Sequence, residues 1–256
     1  MLSDRGKFSF ISYFSRDLLS MLIIAGLLLI GVRSNAQKVE VTGIYGNPKP
    51  FWDKGMSLPE LGINAAFVQS GAIDGAMVRK LRQQGIKLYA EFATLNGKNY
   101  VQDHPEAWAI NEKGEKVEAA SWFMGVCPTD PGFKNYRRGQ LRELLSNYPL
   151  DGVWLDYVHW HAQFETPDPI LPETCFCDRC INTFSNHAGI QVDGENTRDQ
   201  AQLILNFHEG SWRDWRCQVI LEWVKEMKVV VKELRPQALL GLFHCPWDDN
   251  DFEGAR

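Results

Sequence analysis

No stripe of lysine and arginine runs through the 256-residue sequence, and it contains neither an internal repeat nor a low-complexity segment. With 27 basic against 32 acidic residues the formal charge is −5, so nothing in the charge balance points to a nucleic-acid partner. Long apolar runs are missing too: the uncharged stretch 18–32 has 15 residues, short of the roughly 20 that a membrane span needs. No G-x-G-x-x-G turn follows the first apolar run, where Val41-Thr42-Gly43-Ile44-Tyr45-Gly46 stands instead. The dinucleotide-binding folds thereby lose their main support, and no organic cofactor is expected. What is present is an ordinary globular composition, 45% hydrophobic and 23% charged, in which nine tryptophans and fourteen phenylalanines stand out more than the charge does.

Residues 1–36 differ in kind from the rest. Arg5, Lys7 and Arg16 precede the apolar run, and Ser34-Asn35-Ala36 places small residues at the positions a signal peptidase reads, so cleavage after Ala36 and a secreted or periplasmic protein are expected. Arg33 would also permit an uncleaved N-terminal anchor, and either way the remainder lies outside the cytoplasm. Cleavage removes four basic residues (Arg5, Lys7, Arg16, Arg33) and two acidic ones (Asp4, Asp17), taking the charge from −5 to −7. The mature chain is then not drawn to anionic membranes, no stable membrane insertion is expected, and an acidic cleft for neutral substrates fits. Its oligomeric state is not legible.

From residue 37 onward short apolar or β-branched runs alternate with helical patterns. Runs at 39–45, 63–69, 86–92, 152–158 and 238–244 predict buried parallel strands. Helices are predicted at 73–84, stopped by Gly85, and at 134–147, with Tyr136, Leu141, Leu144, Leu145 and Tyr148 on one face. A third runs over 213–234, where Trp215, Val219, Trp223 and Met227 recur every fourth residue and point to the core. Five βα steps suit either an open doubly wound sheet or a (β/α)8 barrel. The barrel is favoured because the strands end on Tyr45, Gln69, Glu91, Asp156 and His244, a ring of polar side chains at the face where barrel active sites form. Eight strands and about 250 residues make a full barrel, so 37–256 reads as a partial TIM-barrel domain, truncated after about five βα units.

Two long loops, 94–133 and 160–200, follow the third and fourth strands, and loops of that length are usually functional. The first ends at Cys127 and the second contains Cys175, Cys177 and Cys180. Four thiolates in this pattern suit a structural tetrahedral zinc that staples the loops; disulfides compete, since export favours oxidation, although a C-x-C pair bridges itself poorly. Cys217 and Cys245 are expected to be buried and inert.

The segments Pro105-Glu106-Ala107-Trp108, Cys127-Pro128-Thr129-Asp130-Pro131, Asp151-Gly152-Val153-Trp154-Leu155-Asp156-Tyr157 and Cys175-Phe176-Cys177-Asp178-Arg179-Cys180 resemble uncharacterised TIM-barrel glycoside hydrolase-like proteins and the family 42 β-galactosidases. The resemblance covers about residues 39–250 and is specific in its middle. It implies a carbohydrate substrate, hydrolysis of O-glycosidic bonds, and a structural zinc on Cys127, Cys175, Cys177 and Cys180. The sequence departs from family 42 at the end of the fourth strand, where those enzymes carry Asn-Glu and this chain has Leu155-Asp156. An aspartate there is similar to the nucleophile of α-fucosidase, α-galactosidase and α-amylase barrels.

Glycosidic cleavage needs two carboxyl groups, one to donate a proton and one to attack or to activate water. Asp156 is the first candidate, with Glu91 and Asp248, or the adjacent Asp249, as its partner; a partner beyond Arg256 is equally compatible. Trp122, Trp160 and Trp247 either stack on sugar rings from the rim or pack in the core. Tyr45, Gln69, His159 and His244 complete the candidate substrate contacts, and Trp154, in phase with Asp156, is expected just beneath it. Two further readings stay open. His159 and His161 with Asp156 could form a metal-dependent hydrolase site similar to that of amidohydrolase-type barrels. Alternatively, the domain is a non-catalytic carbohydrate-binding barrel.

Overall fold

Five short apolar runs, each bounded by turn residues, form one parallel sheet in a computed structural model that describes residues 40–119, 123–163 and 169–244. The strands are β1 (Gly43–Tyr45), β2 (Ala65–Gln69), β3 (Lys87–Ala93), β4 (Gly152–Asp156) and β5 (Leu239–Leu242), side by side in chain order with β1 and β5 at the edges. Parallel neighbours need crossovers, and helices supply them. These are α1 (Lys49–Asp53), α2 (Gly75–Gln83), α3 (Tyr100–Asp103), α4 (Pro131–Asn147), α5 (Asp178–Ala188), α6 (Thr197–Phe207) and α7 (Glu209–Leu234). From Val41 onward the described residues make one compact unit. The expected leader, Cys245 and everything after it lie outside the described residues. No described helix is long and apolar enough to cross a membrane.

Side-chain alternation divides the strands into two faces. Ala66, Val68, Leu88, Ala90, Phe92, Val153 and Leu155 belong to the main core together with Met77, Val78 and Leu81 of α2, Leu141, Leu144 and Leu145 of α4, and Trp223, Met227 and Val230 of α7. The opposite face is aromatic. Phe67 stacks on Tyr89 at 4.8 Å between ring centroids, and Trp154 meets them edge-on at 5.1 and 4.9 Å. Glycines on the flanking strands leave room for these rings: a Cβ on Gly43 would stand 2.8 Å from Phe67, and one on Gly241 would stand 2.2 Å from Trp154.

The sheet is curled. Tyr45 at the end of β1 and Phe243 just past β5 touch edge to face, with centroids 5.5 Å apart. Five strands laid flat would put the edges roughly 19 Å apart, farther than two aromatic side chains bridge. The aromatic face is therefore concave, like the inner wall of a barrel.

The helix ends follow their local chemistry. Asp74 caps α2 by accepting from the Met77 N–H at 2.7 Å, and Asp130 caps α4 by accepting from Phe133 N–H at 2.7 Å, with Pro131 in the first turn. Trp215, Val219, Trp223 and Met227 of α7 are all buried, as their spacing predicts. Three expectations are corrected. Tyr136 is largely exposed rather than part of α4's core face. Cys217 is exposed. The supposed loop 160–200 contains α5 and the first turn of α6, which its length alone argued for.

Candidate active site

β3 and β4 carry the two carboxyl groups on the concave face. Their register pairs Ala93 with Asp156 and Glu91 with Trp154, so Glu91 stands abreast of Trp154 and diagonally below Asp156, and both carboxyl residues lie above Phe67 and Tyr89. The register brings the two carboxyls near enough to influence each other. Glu91 is buried, and its Oε2 accepts from the Tyr45 hydroxyl at 2.7 Å across the curl of the sheet. Burial pushes Asp156 up to about 6; the neighbouring Glu91 pushes the same way, and the Tyr157 N–H donating to Oδ1 at 2.8 Å opposes them. The Tyr45 hydroxyl is raised far above its ordinary value by burial of its polar end, then by the hydrogen bond to Glu91 and the charges of Glu91 and Asp156. The result is a carboxyl pair able to hold one proton near neutral pH.

The two carboxyls rise from adjacent strands on one wall of the sheet, whereas carboxyls that act on a glycosidic bond flank it. Glu91 therefore stands beside Asp156, on the same side of any sugar bound above them. Trp122, Trp247 and Asp248 lie outside the described residues.

Other candidates fall elsewhere. Trp160 is buried among Trp215 at 5.9 Å and the Arg216 guanidinium at 5.0 Å, and its Nε1 donates to the Arg216 carbonyl at 3.3 Å, so it packs the core rather than the rim. Gln69 ends β2 abreast of Glu91 and also lines a groove beside α4, and His244 is exposed past β5. His159 Nδ1 contacts the Trp160 carbonyl at 2.6 Å. His161 Nδ1 accepts from the Gly125 N–H at 3.2 Å, and its ring also bonds the Glu118 backbone. Burial, with the neighbouring His159, holds His161 down at about 4, so both its nitrogens serve the loop. Among the described residues His159, His161 and Asp156 do not form a ligand group, which removes the geometric support for the metal-dependent hydrolase reading.

The cysteines do converge. The sulfurs of Cys127, Cys175, Cys177 and Cys180 all lie within 4.8 Å of one another, Cys127 at 3.7 Å from Cys177 and 3.3 Å from Cys180. They are free thiols. A ZnS4 tetrahedron with bonds of about 2.3 Å has sulfur–sulfur edges of about 3.8 Å, so the donor set and its spacing fit a soft tetrahedral metal. Hydrogen bonds from the other three sulfurs hold the Cys127 thiol well below its usual range. The Ile110 N–H donates to Cys175 Sγ at 3.3 Å, and the Thr129 hydroxyl lies 3.1 Å from Cys127 and 3.2 Å from Cys180. Arg179 joins the two loops by donating to Thr129 at 3.2 Å and pairing with Asp130 at 3.0 Å.

Sequence reasoning missed Tyr157 and Phe123. Tyr157 follows Asp156 in the left-handed region (φ 52°) and stacks on Phe123 at 4.7 Å; Phe123 stacks in turn on His161 at 5.9 Å. A non-glycine residue at positive φ is strained and concentrates at functional sites, but nothing in the Asp156-Tyr157 dipeptide signals it.

No protein-family model and no curated protein sequence matches the chain. Solved structures share its fold. They include a β-galactosidase from the psychrophilic Marinomonas ef1 (TM-score 0.57, 13% identity, 78% of this chain and 36% of that one) and α-L-fucosidase isoenzyme 2 from Paenibacillus thiaminolyticus (0.51, 14%, 82% and 31%). A third is the PgaB (BpsB) glycoside hydrolase domain from Bordetella bronchiseptica (0.52, 10%, 79% and 64%). The chain spans about a third of the length of the first two. At this identity the likeness is one of fold: an α/β chain with the parallel, helix-flanked sheet of glycoside hydrolase-like TIM barrels.

Proposed function

We propose that the protein is an exported glycoside hydrolase in which Asp156 donates the proton to the leaving glycosidic oxygen. The observation that carries this reading is the Asp156 carboxyl at a strand end on the concave face, pushed up to about 6 by burial and by Glu91. A general acid must hold its proton at working pH while a neighbouring group stays charged. Glu91, held by the Tyr45 hydroxyl, is a positioning residue whose nearness favours the proton on Asp156. The carboxylate on the opposite face of the sugar comes from another segment, and Asp248 is the candidate by chain order. The aromatic layer of Phe67, Tyr89 and Trp154 forms the apolar floor beneath. The sugar-cleaving names of the fold neighbours support a carbohydrate substrate.

The four cysteines are proposed to hold a structural zinc. Four thiolates fill a tetrahedral shell and leave no open position for chemistry, so the metal would staple the two loops. Export is proposed from the leader composition, and N-terminal sequencing of the secreted form should begin at Gln37.

The test compares wild type with Asp156→Asn on aryl glycosides of graded leaving ability. An acid catalyst matters most for poor leaving groups. Asp156→Asn should therefore lose at least about a hundredfold on nitrophenyl sugars and much less on dinitrophenyl sugars. An equal loss on every leaving group would make Asp156 the nucleophile instead. Saturable sugar binding by wild type with no turnover on any substrate would establish the binding-barrel reading.

A further inference from the structure

Outside the barrel wall, between the loops that follow β2 and β3 and the exposed flank of α4, lies a groove of about 650 Å³, within the size range of small-molecule sites. Arg137 projects into it from α4. The guanidinium lies over the Phe92 ring at 4.2 Å and donates to the Ala93 carbonyl and to Gln140 Oε1. Gln140 is itself oriented, since its Nε2 donates to the Tyr136 hydroxyl at 2.9 Å. These acceptors are neutral. Arg137 Nε is enclosed and has no acceptor.

Neighbouring arginines make the contrast. Of the other described arginines with an enclosed Nε, Arg138 and Arg216 each pair with a carboxylate, Glu226 at 3.9 Å and Glu173 at 3.0 Å, while Arg235 lies outside the groove and donates to the Leu234 and Tyr148 carbonyls. Arg137 makes no such pair among the described residues, although Glu143 lines the same groove. Burial draws Arg137 down to about 10, which leaves it charged at neutral pH. A desolvated cation without a counter-charge is costly unless something else compensates it. The walls around it carry Asn96, Asn99, Gln140 and the Tyr136 hydroxyl, with Lys98 exposed at the rim. Amides and phenols of this kind suit hydroxyl groups, while a guanidinium fork suits an oxyanion.

We infer that this groove is a second ligand site, distinct from the carboxyl pair, which takes an anionic saccharide with its acid group on Arg137 and its hydroxyls on the surrounding amides. The inference stands apart from the proposed hydrolysis. Carboxylate and phosphate sugars share the required chemistry, and the probes separate them: glucuronate, glucose 6-phosphate and glucose, titrated calorimetrically into the full chain.

Glucuronate or glucose 6-phosphate should bind saturably and at least about tenfold more tightly than glucose, the tighter of the two identifying the acid group. Arg137→Met should abolish that preference while Asp156→Asn leaves it unchanged. Should Arg137→Met fail to fold by circular dichroism, Lys98→Glu decides, with a loss of about tenfold or more expected for the anionic probe alone. Three outcomes would overturn the inference: no saturable binding of either acid sugar below about 10 mM, equal binding of glucose, or acid-sugar binding that survives both groove substitutions in folded protein.

Discussion

Glu91 and Asp156 stand side by side on two adjacent strands, one residue buried and the other at the rim. Their parallel register, with Ala93 beside Asp156, brings them together. The pair behaves as one acid whose proton sits above its ordinary range, and its consequences are measurable in both stability and rate.

Asp156 is raised in the folded protein, so folding favours its neutral form. Its contribution is fully present below pH 4, where both folded and unfolded states are protonated, and is lost as pH rises through about 6. A two-unit shift corresponds to at most about 3 kcal/mol, and partial exposure of the carboxyl brings the expected value nearer to about 1 kcal/mol. Asp156→Asn mimics the neutral acid. Urea unfolding should find it about as stable as wild type at pH 4 and about 1 kcal/mol more stable at pH 8; a variant less stable at pH 8 would contradict the shift.

Tyr45→Phe removes the hydroxyl that donates to Glu91 at 2.7 Å. Glu91 is then less firmly held beside Asp156, and its upward push on the Asp156 carboxyl weakens. Carbon-detected NMR titration should place the Asp156 transition at lower pH than in wild type, with a stability loss of about 1–2 kcal/mol. An unchanged Asp156 titration would mean that Tyr45 plays no part in the pair.

Metal analysis of the purified full chain should find one zinc per protein. Stripping it with a chelator at neutral pH should lower Tm by more than about 5 °C, and Cys177→Ser should do the same. Two disulfides by thiol titration, with no metal, would replace the staple without moving the loops.

Gly241→Val would drive a Cβ to within 2.2 Å of the Trp154 ring. Overpacking of this kind costs about 1–3 kcal/mol. Because Trp154 lies two residues before Asp156 on the same face, denaturant melts and turnover should both suffer; normal stability would show that the ring has another place to go.

All five strands are legible in the sequence because each is a short apolar run ended by turn residues. The long helix is legible because Trp215, Val219, Trp223 and Met227 repeat at helical spacing. Two helices went unread between Cys177 and His208, although Asn196 accepts from the Asp199 N–H at 3.0 Å, a capping pattern visible in Asn196-Thr197-Arg198-Asp199. Asp156 is legible as a rim carboxyl, but its contact with Glu91 depends on which residues of β3 and β4 lie abreast, and no local pattern encodes that register. Trp160 misleads for a related reason: it sits just past a strand end, yet α7 folds over it. Arg137 does not stand out in the sequence because its lack of a carboxylate partner among the described residues is a property of the surroundings.

The Trp223 indole donates to the Pro128 carbonyl at 2.7 Å in a buried setting, and this bond governs how the molecule breathes. It fastens the residue next to Cys127 to the middle of α7, so that stretch is gripped once through sulfur and once through an indole. Amide hydrogens around Val126 and Cys127 should exchange with heavy water only in openings large enough to release α7, among the slowest in the chain. A segment that leaves the sheet as a rim excursion thus opens on the timescale of the core.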